Sequence, residues 1–145
     1  VRAPKVWVFF YGSYMNPDVL REVNLDPGSF EPARLPGFDI TIAPRANLVR
    51  SDRHSVYGVC ARATHEELDR LYAHARSVLG EIYLPEPVLV ELRDGSVRPA
   101  LCYLCPEMAP GPAETAYVDR ILAPAERFGF PRWYVERIRS FRTTS

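Results

Sequence analysis

The sequence is poor in cysteine, lysine and histidine, and it has no long hydrophobic run. Its three cysteines, Cys60, Cys102 and Cys105, are too few and odd in number for a disulfide framework, which points to a reducing, cytoplasmic setting. Lys5 is the single lysine beside seventeen arginines, and eighteen basic residues balance eighteen acidic ones. A net charge of zero argues against nucleic-acid binding carried by phosphate contacts, and against a polybasic membrane anchor. The longest apolar run, residues 6–11, is far too short to cross a bilayer. No charged segment followed by a long apolar one opens the chain, so no secretory signal is visible. No repeat, low-complexity stretch or linker divides it, and the Pro-rich residues 106–112 read as a connecting loop. The 145 residues, 47% of them hydrophobic, therefore read as one domain, 1–145, around one core.

What is present has a clear order. Val6-Trp7-Val8-Phe9-Phe10-Tyr11 is apolar on both faces, as a buried strand is. It ends at Gly12-Ser13, and Asn16-Pro17 reads as a helix start, with Asn capping and Pro in the first turn. Phe38, Ile40 and Ile42 alternate with polar residues, and residues 55–62 form another strand with Gly58 inside it, marking a bulge or a close backbone approach. Thr64 and Glu67 make a capping box before Leu68, Leu71, Tyr72 and Ala75 at helical spacing. Residues 87–92 and 97–104 flank Asp94-Gly95, a hairpin signal in which both turn residues are expected at positive φ. Pro99 implies a free strand edge. The last third is helical, with a stripe of Val118, Ile121, Leu122, Ala125 and Phe128 interrupted at Pro124 and ended by Gly129. Pro131 opens a second helix with Tyr134, Ile138 and Phe141 on one side. Strands and helices do not alternate regularly, so the class is α+β.

Chemistry is expected first at Tyr11-Gly12-Ser13-Tyr14. A loop from a buried strand into a helix presents backbone N–H groups that suit a carboxylate or a developing oxyanion. The same residues also suit an ordinary tight turn. Phosphate-loop signatures are absent. Cys102-x-x-Cys105 lacks the further ligands a zinc site needs, so core packing is the expectation and no metal is called for. His54, His65 and His74 are scattered, and no Ser-His-Asp or Cys-His grouping emerges. Arg45 and Asn47 offer a minor option for pairing with a substrate carboxylate.

Several segments in order resemble one family. Val8-Phe9-Phe10-Tyr11-Gly12-Ser13 resembles the opening strand and turn of the γ-glutamylcyclotransferase-like, or AIG2-like, proteins. Ala33-Arg34-Leu35-Pro36-Gly37-Phe38, Ser55-Val56-Tyr57-Gly58-Val59 and Glu66-Glu67-Leu68-Asp69-Arg70-Leu71 resemble later segments. Tyr117 and Phe128-Gly129-Phe130-Pro131-Arg132-Trp133-Tyr134 resemble the C-terminal helices. The resemblance implies a small mixed β-barrel with flanking helices and no metal or cofactor. It implies an enzyme that releases 5-oxoproline and a free amine from a small γ-glutamyl substrate, by attack of the α-amino group on the γ-carbonyl. It assigns Tyr11, Gly12, Ser13 and Tyr14 to the binding turn, and Tyr83 and Tyr117 to substrate contact.

The family's proton-carrying Glu falls at Ala75, Arg76 or Ser77, and none is acidic. The nearest acid is Glu81, in Leu79-Gly80-Glu81-Ile82-Tyr83, with Glu86 beyond. Glu81 is the candidate proton shuttle, and desolvation at a barrel mouth would suit it to that task. Two other readings stay open. One is a catalytically silent barrel that binds a small acidic ligand or a partner protein. The other keeps the fold and cleaves a γ-glutamyl-protected biosynthetic intermediate. The amine released and the oligomeric state are not legible.

Overall fold

The computed structural model describes residues 4–26 and 28–143. The apolar opening run forms β1 (Lys5–Phe10), whose second half, Val8, Phe9 and Phe10, is buried. It pairs antiparallel with β3 (Ala46–Thr64), from Lys5↔Thr64 to Phe10↔Val59. Its other edge meets β5 (Val97–Leu104) in parallel at Val8↔Leu101. β2 (Glu31–Ile42) pairs with β3 and, at Ala33 and Arg34, with β4 (Leu84–Leu92). β4 and β5 form an antiparallel hairpin. The mixed sheet thus closes on itself in the order β1-β3-β2-β4-β5. With helices around it, the class is α+β, as expected.

Side-chain alternation places Phe38, Ile40 and Ile42 in the core. Gly58 marks a close approach: a Cβ there would lie 2.3 Å from the Phe10 carbonyl oxygen and 2.7 Å from the Phe9 ring. The hairpin turn corrects one expectation. Gly95 has φ 89°, but Asp94 is not at positive φ. Four residues, 93–96, join the strands instead of two, and such a loop needs one left-handed residue where a two-residue turn needs both. The Asp94 carboxylate accepts from the Ser96 amide at 2.9 Å and fixes the loop that way. Pro99 faces Leu89 of β4 and lies outside the described β1 pairing, where a missing N–H costs nothing.

The helices start where the sequence says. Asn16 Oδ1 accepts from the Asp18 amide at 3.0 Å ahead of α1 (Pro17–Glu22). Both halves of the capping box hold α2 (His65–His74): Thr64 Oγ1 accepts from the Glu67 amide at 3.0 Å, and Glu67 Oε1 from the Thr64 amide at 2.8 Å. α3 (Thr115–Arg127) buries Val118, Ile121, Leu122 and Ala125, and it runs through Pro124. A proline has no N–H for the carbonyl four residues back, which is that of Arg120. Asn16 Nδ2 donates to that carbonyl at 3.2 Å, so the residue that caps α1 also repairs α3. Gly129 ends the segment, and α4 (Arg132–Arg139) follows Pro131, burying Tyr134 and Ile138. Among the described residues no helix is long and apolar enough to cross a membrane.

Candidate active site

β1 runs through Tyr11 and Gly12 into a single 3-10 turn, Ser13–Met15, with no side-chain cap. The turn is buried. Tyr11 donates its hydroxyl to the Tyr103 carbonyl at 2.6 Å, and the two rings stack at 4.7 Å. The Tyr14 hydroxyl lies 3.0 Å from Nδ1 of His74 and 3.4 Å from the Leu71 carbonyl. Both side chains therefore hold the turn against β5 and α2. Both hydroxyls are thus engaged within the protein. Gly12 is packed against β3: a Cβ there would lie 2.8 Å from Ala46 Cβ and 4.0 Å from the Tyr117 hydroxyl.

Ala46, the first residue of β3, joins the turn to the two other expected tyrosines. Its amide donates to the Tyr117 hydroxyl at 2.9 Å, and its carbonyl accepts from the Tyr83 hydroxyl at 2.6 Å. On one side of it, Arg45 places its guanidinium 4.8 Å from the centre of the Tyr117 ring and donates from Nε to the Leu79 carbonyl at 3.3 Å. The Nη groups of Arg45 make no ion pair among the described residues. On the other side, Asn47 is spent on the backbone of Cys105, donating to its carbonyl at 2.8 Å and accepting from its amide at 2.9 Å. Of the two, Arg45 alone keeps free donors for a carboxylate.

After α2 the chain makes a π-helical turn, Ala75–Leu79. Gly80, at φ 77°, then reverses it, a conformation that costs other residues free energy. As a result the Glu81 amide donates to the Ala75 carbonyl at 3.1 Å. Ala75 is fully buried, while Arg76 and Ser77 are exposed. Glu81 is half-buried, and its Oε2 lies 3.5 Å from the Cys105 sulfur. Both border a cavity of about 440 Å³ that is also lined by Ile82, Leu84, Pro106 and Glu107. Tyr11, Gly12, Ser13, Tyr14, Tyr83 and Tyr117 do not line it; Ala46, Asn47 and Cys105 link Tyr83 and Tyr117 to it through the bonds above. Glu86 lies elsewhere, opposite Cys102 on the hairpin and paired with Arg50. A second cavity of about 380 Å³, between Arg34, Tyr57, Arg93 and Phe130, contains neither Glu81 nor the turn.

The electrostatics sort donors from proton carriers. Burial pushes the hydroxyls of Tyr11, Tyr14, Tyr83, Tyr103 and Tyr117 up from their ordinary value. For Tyr117 the Ala46 amide, the Ser13 hydroxyl and the Arg45 guanidinium offset part of that rise. All five phenols stay protonated near neutral pH, so they donate or accept hydrogen bonds and serve poorly as bases. Burial likewise pushes Cys60 up to about 11 and Cys102 up to about 12, and both behave as core residues. Among the described residues no group of three His, Cys, Asp or Glu could hold a metal ion. His54 is exposed and lies against the Ser51 hydroxyl.

The family whose signature matches residues 8–121 is the gamma-glutamyl cyclotransferase, AIG2-like family. The chain belongs to it. No curated protein matches the sequence. Among solved structures, the fold resembles an uncharacterised human protein, with a TM-score of 0.78 at 21% identity over 94% of this chain and 87% of that one. A protein described as a gamma-glutamyl cyclotransferase gives the same TM-score and identity, over 94% of this chain and 88% of that one. A yeast gamma-glutamyl cyclotransferase described as specific to glutathione gives a TM-score of 0.62 at 15% identity, over 97% and 98% of the two chains.

Ala46, Asn47, Tyr103 and Cys105 bind this region together, and none was singled out as a candidate from sequence for that role. Ala46 and Cys105 act largely through backbone groups, which side-chain identity does not encode. The sequence offers Asn47 as a minor option for a substrate carboxylate; here its amide group is spent on the Cys105 backbone.

Proposed function

We propose that this chain is a γ-glutamylcyclotransferase-type enzyme acting on a small γ-glutamyl amine, with Glu81 as the proton carrier. The observation that carries the reading is the Glu81–Ala75 hydrogen bond. It supports the reading by holding the Glu81 backbone beside Ala75, one of the positions where the resemblance expects an acid, with the carboxylate 3.5 Å from the Cys105 sulfur.

In this reaction the substrate's α-amino nitrogen attacks its own γ-carbonyl carbon. A C–N bond forms the five-membered lactam, and the C–N bond to the leaving amine breaks. The attack is intramolecular, so holding the glutamyl group in a near-attack shape supplies much of the rate. The Gly12–Tyr14 amides hold the carbonyl oxygen as charge develops on it. The free Nη groups of Arg45 take the α-carboxylate. Glu81 takes the proton lost by the α-ammonium and then the one lost as the attacking nitrogen becomes the lactam N–H, and hands both in turn to the departing nitrogen, which leaves as an ammonium. The cavity beside Glu81 receives the amine half. Tyr83 and Tyr117 hold the wall between the two halves through Ala46. No metal or cofactor enters the scheme.

The test is release of 5-oxoproline from a panel of γ-glutamyl amines and γ-glutamyl amino acids by wild type and Glu81→Gln. Equal turnover removes Glu81 from the mechanism, and absence of product with every substrate removes the enzyme reading.

A second reading, a silent barrel that binds a small acidic ligand, is favoured by one observation: the Tyr-Gly-Ser turn is buried behind Ala46. Binding of 5-oxoproline without turnover would support it.

A further inference from the structure

We infer that Cys105 is a positioning residue for Glu81, its thiol donating to Oε2 and fixing the carboxylate at the edge of the 440 Å³ cavity. The inference rests on the proposed proton-carrying role of Glu81 and deepens it.

Three facts support it. First, Cys105 is itself held. It lies just past β5, where the sheet no longer fixes the backbone, yet both its amide and its carbonyl are bonded to the Asn47 side chain. Second, Asn47 follows Ala46, the residue packed against Gly12 and bonded to Tyr83 and Tyr117. The cysteine is thus tied, residue by residue, to the turn that would hold the glutamyl group. Third, Glu81 is anchored from the other side by its own amide on Ala75, so only its side-chain torsions remain free. A half-buried glutamate loses rotamer freedom on ordering, and a donor at 3.5 Å selects among its orientations. Burial and the neighbouring carboxylate both push the Cys105 thiol up, which keeps the proton on sulfur and the donor in place.

The role differs from that of Cys60 and Cys102, which are equally buried but are bonded to no carboxylate among the described residues. It also accounts for a polarizable thiol where a cavity wall would accept valine or alanine.

Two measurements test the inference, and one of them needs no turnover. Alkylation of Cys105 by iodoacetamide is followed against pH by mass spectrometry of its peptide, in the folded wild type and in Glu81→Gln. Removing the carboxylate is expected to move the midpoint down by about one pH unit, the scale of a close like charge. An unchanged midpoint means the two groups do not interact, and the inference falls. The second measurement is kcat and KM for 5-oxoproline release in wild type, Cys105→Ala and Cys105→Ser. Loss of the donor is expected to lower kcat about tenfold with KM nearly unchanged in the alanine variant, with the serine variant, which can donate the same bond, close to wild type. Equal losses in the alanine and serine variants would show a packing role only, and would overturn the positioning role. If the midpoint moves but no substrate turns over, the contact stands while both the positioning role and the proposed function fail.

Discussion

The Glu81 amide donates to the Ala75 carbonyl at 3.1 Å, across a π-helical turn and a left-handed glycine. The bond fixes the Glu81 backbone against Ala75, while the carboxylate lies 3.5 Å from the Cys105 sulfur. The first consequence is for Glu81 itself. Glu81→Gln is expected to lower kcat for 5-oxoproline release by about 10²–10⁴-fold, the usual worth of a positioned acid or base. Its unfolding midpoint in urea should stay close to wild type, because the carboxylate is only half-buried.

Gly80 supports the same geometry. Gly80→Ala is expected to cost about 1 kcal/mol in urea unfolding through the left-handed backbone. Nothing lies near its missing Cβ, so packing adds no further cost. Turnover should fall more than stability, since the residue that follows is the proposed proton carrier.

Gly12→Ala brings a Cβ to 2.8 Å from Ala46 Cβ. Overpacking of this kind is expected to cost about 1–3 kcal/mol. Ala46→Gly removes the opposing methyl group and should recover part of the loss in the double variant. Additive costs in that cycle would mean that the two residues do not meet.

Stability is expected to fall as the pH rises above about 9. Cys60 and Cys102 ordinarily titrate at 9.0 and are pushed up to about 11 and about 12 in the folded chain. A raised acid pKa stabilises the fold fully below the unfolded value and stops doing so as the pH climbs through the folded one. The buried tyrosines add to the same loss above 10. Urea midpoints between pH 7 and 10.5 check this; a flat profile would contradict the burial of these groups. Cys102→Ala should flatten part of the slope.

Local signals were the legible ones. Thr64 and Glu67 bond each other's backbone three residues apart, so their capping box is written in the sequence and present in the fold. Asn16-Pro17 and Gly129 are of the same kind. The first half of β3 was not legible, because Arg50, Ser51, Asp52, Arg53 and His54 have the composition of a loop. Pairing such as Phe38↔Arg50 with β2 holds part of that stretch as strand, and pairing is a tertiary fact. The site divides likewise. Gly12, Tyr83 and Tyr117 could be named from motif, but their convergence on Ala46 depends on the amide, carbonyl and methyl of a residue with no polar side-chain chemistry. The return of Glu81 to Ala75 was open in the sequence, since Gly80 permits the reversal without specifying the π-helical turn before it.

The bond from Asn16 to the Arg120 carbonyl ties the two extremities of the matched segment to each other. A chain trimmed to residues 8–121 would keep both partners but lose Pro124, the residue that leaves that carbonyl bare. Shortening at the C-terminal side would also remove the buried Ala125, Tyr134 and Ile138. A fragment that keeps this core therefore has to run past the matched segment, through α3 and α4.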